Sequence, residues 1–134
     1  MSSYYLINSF AFYAAYHQHP VNVIIHQITI PIIVWTLIVF ANYFIFLNNE
    51  VISWLPFTLA LPLIFLYEII YMLLDIWSAL IMVILFMVMY TTSNLFIFYV
   101  ESAWIYSLLI HIIAWIVQFM GHTFFEKKKT SINR

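Results

Sequence analysis

From position 27 to position 121 the chain carries no lysine or arginine and only four carboxylates, Glu50, Glu68, Asp75 and Glu101. A soluble domain spends roughly a quarter of its residues on charge to solvate its surface. Here charged residues make up 7% and hydrophobic ones 66% of the 134-residue sequence, so this stretch has lipid as its solvent. The expected fold class is an all-α integral membrane protein. A span needs about 20 apolar residues, which gives room for a four-span transmembrane helix bundle in one domain covering 1–134, with no soluble domain left over.

Polar clusters and prolines divide the apolar stretch. Residues 3–16, with aromatics at Tyr5, Phe12, Tyr13 and Tyr16, predict a short interfacial N-terminal helix. The N-terminal end has neither the basic region nor the small-residue cleavage site of a secretory signal, and is expected to be retained. Pro20 cannot continue that helix but suits the first turn of a new one, so a break falls at 17–20. The next helix carries Asn22 and His26 four residues apart on one face and enters the bilayer over 28–47, with Pro31 early in the span. After the turn Asn48-Asn49-Glu50 comes a second span, 51–74. Asp75 punctuates the next turn and 77–91 is the third span. Thr91-Thr92-Ser93-Asn94 reads as a polar break, 95–100 as an interfacial piece and 102–120 as the fourth span. No internal repeat is evident.

All four basic residues lie at or after Lys127. They leave no footprint for nucleic acid, but Lys127-Lys128-Lys129 directly after the last span marks that end as cytoplasmic, and an anchor for lipid headgroups. Four spans then place both termini on the cytoplasmic side, and bring His26 and His122 to the same mouth of the bundle. A bacterial inner membrane or the endoplasmic reticulum would provide that orientation.

The ionisable chemistry gathers at those two ends. With no cysteine present, metal ligands are limited to imidazole, carboxylate, amide and hydroxyl groups. His17, His26 and His122 are candidate metal ligands. Glu126, one helical turn after His122, is a candidate ligand or a group that holds an imidazole N–H, and Asn22 a candidate orienting group or substrate donor; both are candidate catalytic residues. The blander account is a set of interfacial histidines satisfied by backbone carbonyls and water. His111 lies eleven residues before His122, roughly 16 Å deeper on one helix, and cannot share its metal. His111, Trp115, Gln118 and His122 form one stripe, which makes His111 and Gln118 candidate substrate-binding residues; a structural hydrogen bond from His111 to a Tyr, Thr or Asn of another span is the alternative. Gly121, the single glycine, predicts close approach of another backbone, that of the first span, or a bend at the helix end.

Tyr16, His17, Pro20, Asn22, His26 and Pro31, together with Trp115, Gln118, Phe119, Gly121, His122, Glu126 and Lys127, resemble the two signatures of a family of small membrane proteins. That family is typified by a fungal 2-hydroxy fatty acid dioxygenase of phytosphingosine breakdown. The resemblance implies Fe(2+) as cofactor, a 2-hydroxy fatty acid and O2 as substrates, and fatty acid alpha-oxidation, which shortens the chain by one carbon. The middle spans match only in hydrophobicity, and Val21 stands where a small or basic residue is expected. Two other classes compete: a haem-binding bundle, using His26 and His122 as facing axial ligands, and a non-catalytic membrane scaffold or transport protein.

Overall fold

A computed structural model describes residues 7–8, 20–47 and 56–125. The expected interfacial helix over 3–16 lies almost wholly outside the described residues. From Pro20 onward the elements are α1 (Pro20–Asn42), β1 (Ile45–Leu47), β2 (Phe57–Thr58), α2 (Ala60–Leu74), α3 (Ile76–Tyr99) and α4 (Ala103–Phe125). The fold is helical, and α1, α3 and α4 are long and apolar enough to cross a membrane. α2 has 15 residues, and at 1.5 Å per residue it covers about 22 Å of a hydrocarbon core about 30 Å thick. By length and composition, then, the described residues supply three spanning helices where the sequence pattern predicts four.

The shortfall comes from the region around Asn42. Helix α1 does not run to position 47. It closes in a tight turn, with Tyr43 N–H on Phe40 O and Phe44 N–H on Ala41 O, and the chain becomes a small antiparallel hairpin pairing Ile45 with Thr58. Pro56 fixes its own φ and lacks an N–H, so it belongs before a strand rather than within a helix. Pro62 falls in the first turn of α2, where its missing N–H is no loss. The helix predicted over 51–74 accordingly begins at Ala60.

The other departure is at Thr91-Thr92-Ser93-Asn94, which is continuous helix within α3. Three of these polar side chains turn back on their own helix: Thr92 Oγ1 donates to Val88 O, Ser93 Oγ to Tyr90 O, and Asn94 Nδ2 to Tyr90 O. Such back-bonding satisfies a hydroxyl without breaking the helix. Residues 95–99 therefore continue α3, and the chain turns instead at 100–102, where Ser102 takes a left-handed φ of 58° before α4.

Helix α1 is the central element, with α4 on one face and α2 and α3 on the other. The apolar core lies on the second face, where Ile38 and Ala41 meet Ala60, Phe86, Met89 and Tyr90. At that end a buried polar knot joins three elements, with Thr58 Oγ1 donating to Asn42 Oδ1 and Asn42 Nδ2 to Ser93 Oγ. Tyr90 Oη reaches Pro56 O, tying α3 to the hairpin. Asp75 separates α2 from α3 and caps the latter, accepting hydrogen bonds from the backbone and side chain of Ser78. Large side chains such as Leu73, Trp77 and Ile84 are exposed, as suits a surface that meets lipid rather than water.

Candidate metal centre

The face of α1 that meets α4 is set by a seven-residue repeat. Asn22, Thr29 and Thr36 are buried on α1, and Ser107, Ala114 and Gly121 on α4. Small residues at heptad spacing let two backbones approach closely, and their neighbours then interdigitate. Gly121 is a point of close approach: a Cβ there would lie 2.6 Å from Asn22 Oδ1 and 3.2 Å from Ile25 Cδ1. The close approach expected at this glycine is therefore to α1, and it is made by the fully buried Asn22.

Along this seam the helices run antiparallel and are joined at three levels. Deepest in the bundle, Thr36 Oγ1 donates to Ile33 O at 2.8 Å and lies 2.7 Å from His111 Nδ1, while Trp115 Nε1 donates to His111 Nε2 at 3.0 Å. An indole N–H can only donate, so His111 accepts at Nε2 and carries its proton on Nδ1, which it gives to Thr36. Both of its ring nitrogens are thereby occupied. The structural hydrogen bond from His111 to a threonine of another helix, the alternative drawn from the sequence, is present. At the next level Thr29 Oγ1 is 2.8 Å from Ile25 O and 3.3 Å from Gln118 Oε1.

At the mouth of the bundle, His26 and His122 meet. Their Nε2 atoms are 2.9 Å apart, with ring centroids at 4.6 Å and planes inclined at 62°. His26 is buried and His122 half-buried. At this distance one imidazole donates its Nε2–H and the other accepts, so a single proton is held between them. His26 lies one turn after Asn22 and His122 directly after Gly121, so the packing that brings the two backbones together also fixes the two rings.

The fit of this pair to a metal can be judged from its spacing. Two nitrogens bound at about 2.1 Å to one ion, on adjacent corners of an octahedron, are about 3.0 Å apart. The pair has this separation, with both Nε2 atoms directed at each other's neighbourhood. Axial ligands on opposite faces of a haem stand about 4 Å apart with the porphyrin between them, a space that the rings as placed do not leave. Among the described residues no group of three or more His, Cys, Asp or Glu converges. His17 and Glu126, the other candidates, lie outside the described residues; Glu126 directly follows the end of α4. Of the predicted site residues, the structure thus brings together Asn22, His26 and His122, sets Gln118 one turn deeper on the same seam and His111 deeper still. Glu68 is apart from them, buried on α2, with neither carboxylate oxygen hydrogen-bonded among the described residues.

Thr29 and Thr36 were not among the sequence candidates. Their signal was present: with Asn22 and His26 they recur at intervals of four, three and seven on a mostly apolar helix, the pattern of a seam.

No curated protein and no solved structure matches the chain. Residues 4–133 match the family described as 2-hydroxy-palmitic acid dioxygenase Mpo1-like. With a match over almost its whole length, the chain belongs to the Mpo1-like family.

Proposed function

We propose that this protein is a non-haem Fe(II) dioxygenase that shortens a 2-hydroxy fatty acid by one carbon. The observation that carries the reading is the juxtaposition of His26 and His122 Nε2 at 2.9 Å, a spacing suited to two adjacent metal ligands. His17 and Glu126 are proposed to complete the set. Such a mixed imidazole and carboxylate set, with open positions, suits iron that handles oxygen.

The bound iron would supply a Lewis-acid contact for the hydroxyl and carboxylate of the substrate and the electrons that O2 needs for activation. The overall change balances without a 2-oxo acid: R–CH(OH)–COOH and O2 give R–COOH, carbon dioxide and water, the substrate providing all four electrons. The protein's own residues hold and orient. Asn22, fully buried beside Gly121, keeps the first turn of α1 and the last turn of α4 in register and sets the direction of the His26 ring. Gln118, with Thr29, closes the seam one turn deeper and keeps water from entering along it. His111 holds the depth of the two helices. The lysine run after α4 is proposed to keep this mouth at the cytoplasmic face.

The test is purification under anaerobic conditions, loading with Fe(II), and measurement of bound iron, oxygen uptake and fatty acid product with 2-hydroxy fatty acids. Iron bound in proportion to protein, and lost in His26→Ala and His122→Ala, is expected together with a product one carbon shorter. Iron binding without oxygen uptake on any 2-hydroxy fatty acid would overturn the reaction.

A further inference from the structure

The histidine pair accounts for the head of a substrate but not for its tail, and the fold offers an apolar cavity on the other side of α1. We infer that the cavity between α1, α2 and α3 holds the alkyl chain of the 2-hydroxy acid and limits its length. The inference rests on the reading of the histidine pair given above and adds where the rest of the substrate lies.

The cavity measures about 400 Å³, within the roughly 300–1,000 Å³ of small-ligand pockets. It runs along α1 from Ile30, beside Tyr71 of α2, to Ala41, beside Ala60 and Met89. At 1.5 Å per residue that is about 16 Å, the reach of a long acyl chain. No charged side chain lines it. The polar-tipped residues of its wall are Tyr67 and Tyr71, in the half of α2 nearest Asp75, which is the end of the bundle where His26 and His122 meet. The cavity therefore has the polarity of a fatty acid: hydroxyl-bearing at the histidine end, hydrocarbon beyond.

Its position relative to His26 follows from helix geometry. Ile30 is one turn after His26 on α1, and a helix turns about 100° per residue. On that wheel Asn22, Thr29 and Thr36 point toward α4, Ile30, Val34 and Ala41 point toward the cavity, and His26 falls between the two strips. A head group at His26 can pass its tail directly onto the cavity side of the same helix.

The far end is blind. Ala41, Ala60 and Met89 belong to the packed core with Ile38, Phe86 and Tyr90, and Ala60 is 1% exposed. A groove that merely admitted bulk lipid would have no reason to end against buried side chains. A substrate site that selects by length would, with two alanines setting the depth of its floor.

Two measurements test this. In the first, Ala60→Leu and Ala41→Leu raise the floor, and turnover is compared across 2-hydroxy acids of increasing length. The ratio of short-chain to long-chain turnover should rise about tenfold or more, the worth of a methylene or two in an apolar pocket; an unchanged ratio in folded variants overturns the inference. The second uses the wild-type protein and a 2-hydroxy fatty acid with a diazirine at its methyl end. Labelling should fall on α2 near Ala60 or on α3 near Met89, and be displaced by saturated 2-hydroxy acids but not by phospholipid. Labelling confined to the outer face of α4, or displaced equally by phospholipid, assigns the cavity to bulk lipid and overturns the inference. The labelling arm does not depend on turnover. A labelled cavity in an inactive protein would sustain the tail site and sink the proposed reaction, whereas turnover with labelling elsewhere would do the reverse.

Discussion

His26 and His122, 96 positions apart in sequence, approach to 2.9 Å between Nε2 atoms. The site is thus a joint between two helices, and neither helix carries it alone.

His122→Ala and His26→Ala should each lose bound iron and turnover together, by more than the roughly 10–100-fold that removing a merely supporting group costs. His111→Ala should keep its iron, because its ring nitrogens are spent on Trp115 and Thr36. Metal analysis of the three variants in detergent checks this. Iron lost from His111→Ala and kept by His122→Ala would move the site to mid-membrane.

Gly121→Ala should push the two helices apart, since its new methyl group meets Asn22 Oδ1 at 2.6 Å. Asn22 is fully buried and has little room to swing away, so an overpacking cost of about 1–3 kcal/mol is expected. Asn22→Ala should recover part of that loss in the double variant, a coupling that thermal unfolding of the four proteins of the cycle would reveal. Additive losses would show that the contact is not the source.

Thr36→Val removes the acceptor of His111 Nδ1–H and leaves a donor inside the bundle with no partner at that position. The expected cost is about 1–2 kcal/mol, the upper part of the range for interhelical hydrogen bonds in membranes. Unfolding in mixed micelles measures it. Thr36→Ser, which restores the hydroxyl, should recover most of the loss.

Asp75 offers a pH-dependent signal away from the site. Hydrogen bonds from the Ser78 side chain and backbone hold its carboxyl below the usual range for aspartate. The folded state therefore favours the charged form. Its contribution is fully present above the unfolded value, about 3.9, and falls away as pH drops toward and through the lower folded value. Stability measured against pH should show the wild type losing its advantage over Asp75→Ala in that acid window. A constant difference between the two from pH 6 to pH 3 would show that the charge of this cap contributes nothing.

The sequence showed the ends of this molecule better than its middle. Asn22 and His26 lie on one face as their spacing required, and the stripe of His111, Gln118 and His122 meets α1, because period and burial are local properties of a helix. Gly121 revealed a close contact because a missing Cβ has few other uses in an apolar helix. The pairing of 45–47 with 57–58 and the unbroken run through 91–94 were not legible. Thr92 and Ser93 read as punctuation in sequence, and Asn42 and Thr58 as parts of spans; their actual placement depends on partners that are remote in the chain or one turn back along it. The third and fourth donors of the proposed metal set, His17 and Glu126, stay expectations from the motif.

That α4 rests on α1 has a consequence for how the molecule comes into being. During synthesis His26 enters the membrane with the first of these helices, and its counterpart arrives only after the hairpin, α2 and α3 have been made. Until then the face of α1 that carries Asn22, His26, Thr29 and Thr36 has no partner from α4, and the two-histidine joint does not exist. The iron site proposed above can therefore form only at the last step of assembly, and a chain halted before α4 can complete the core around Ile38 and Ala60 yet lacks the second histidine of that proposed site.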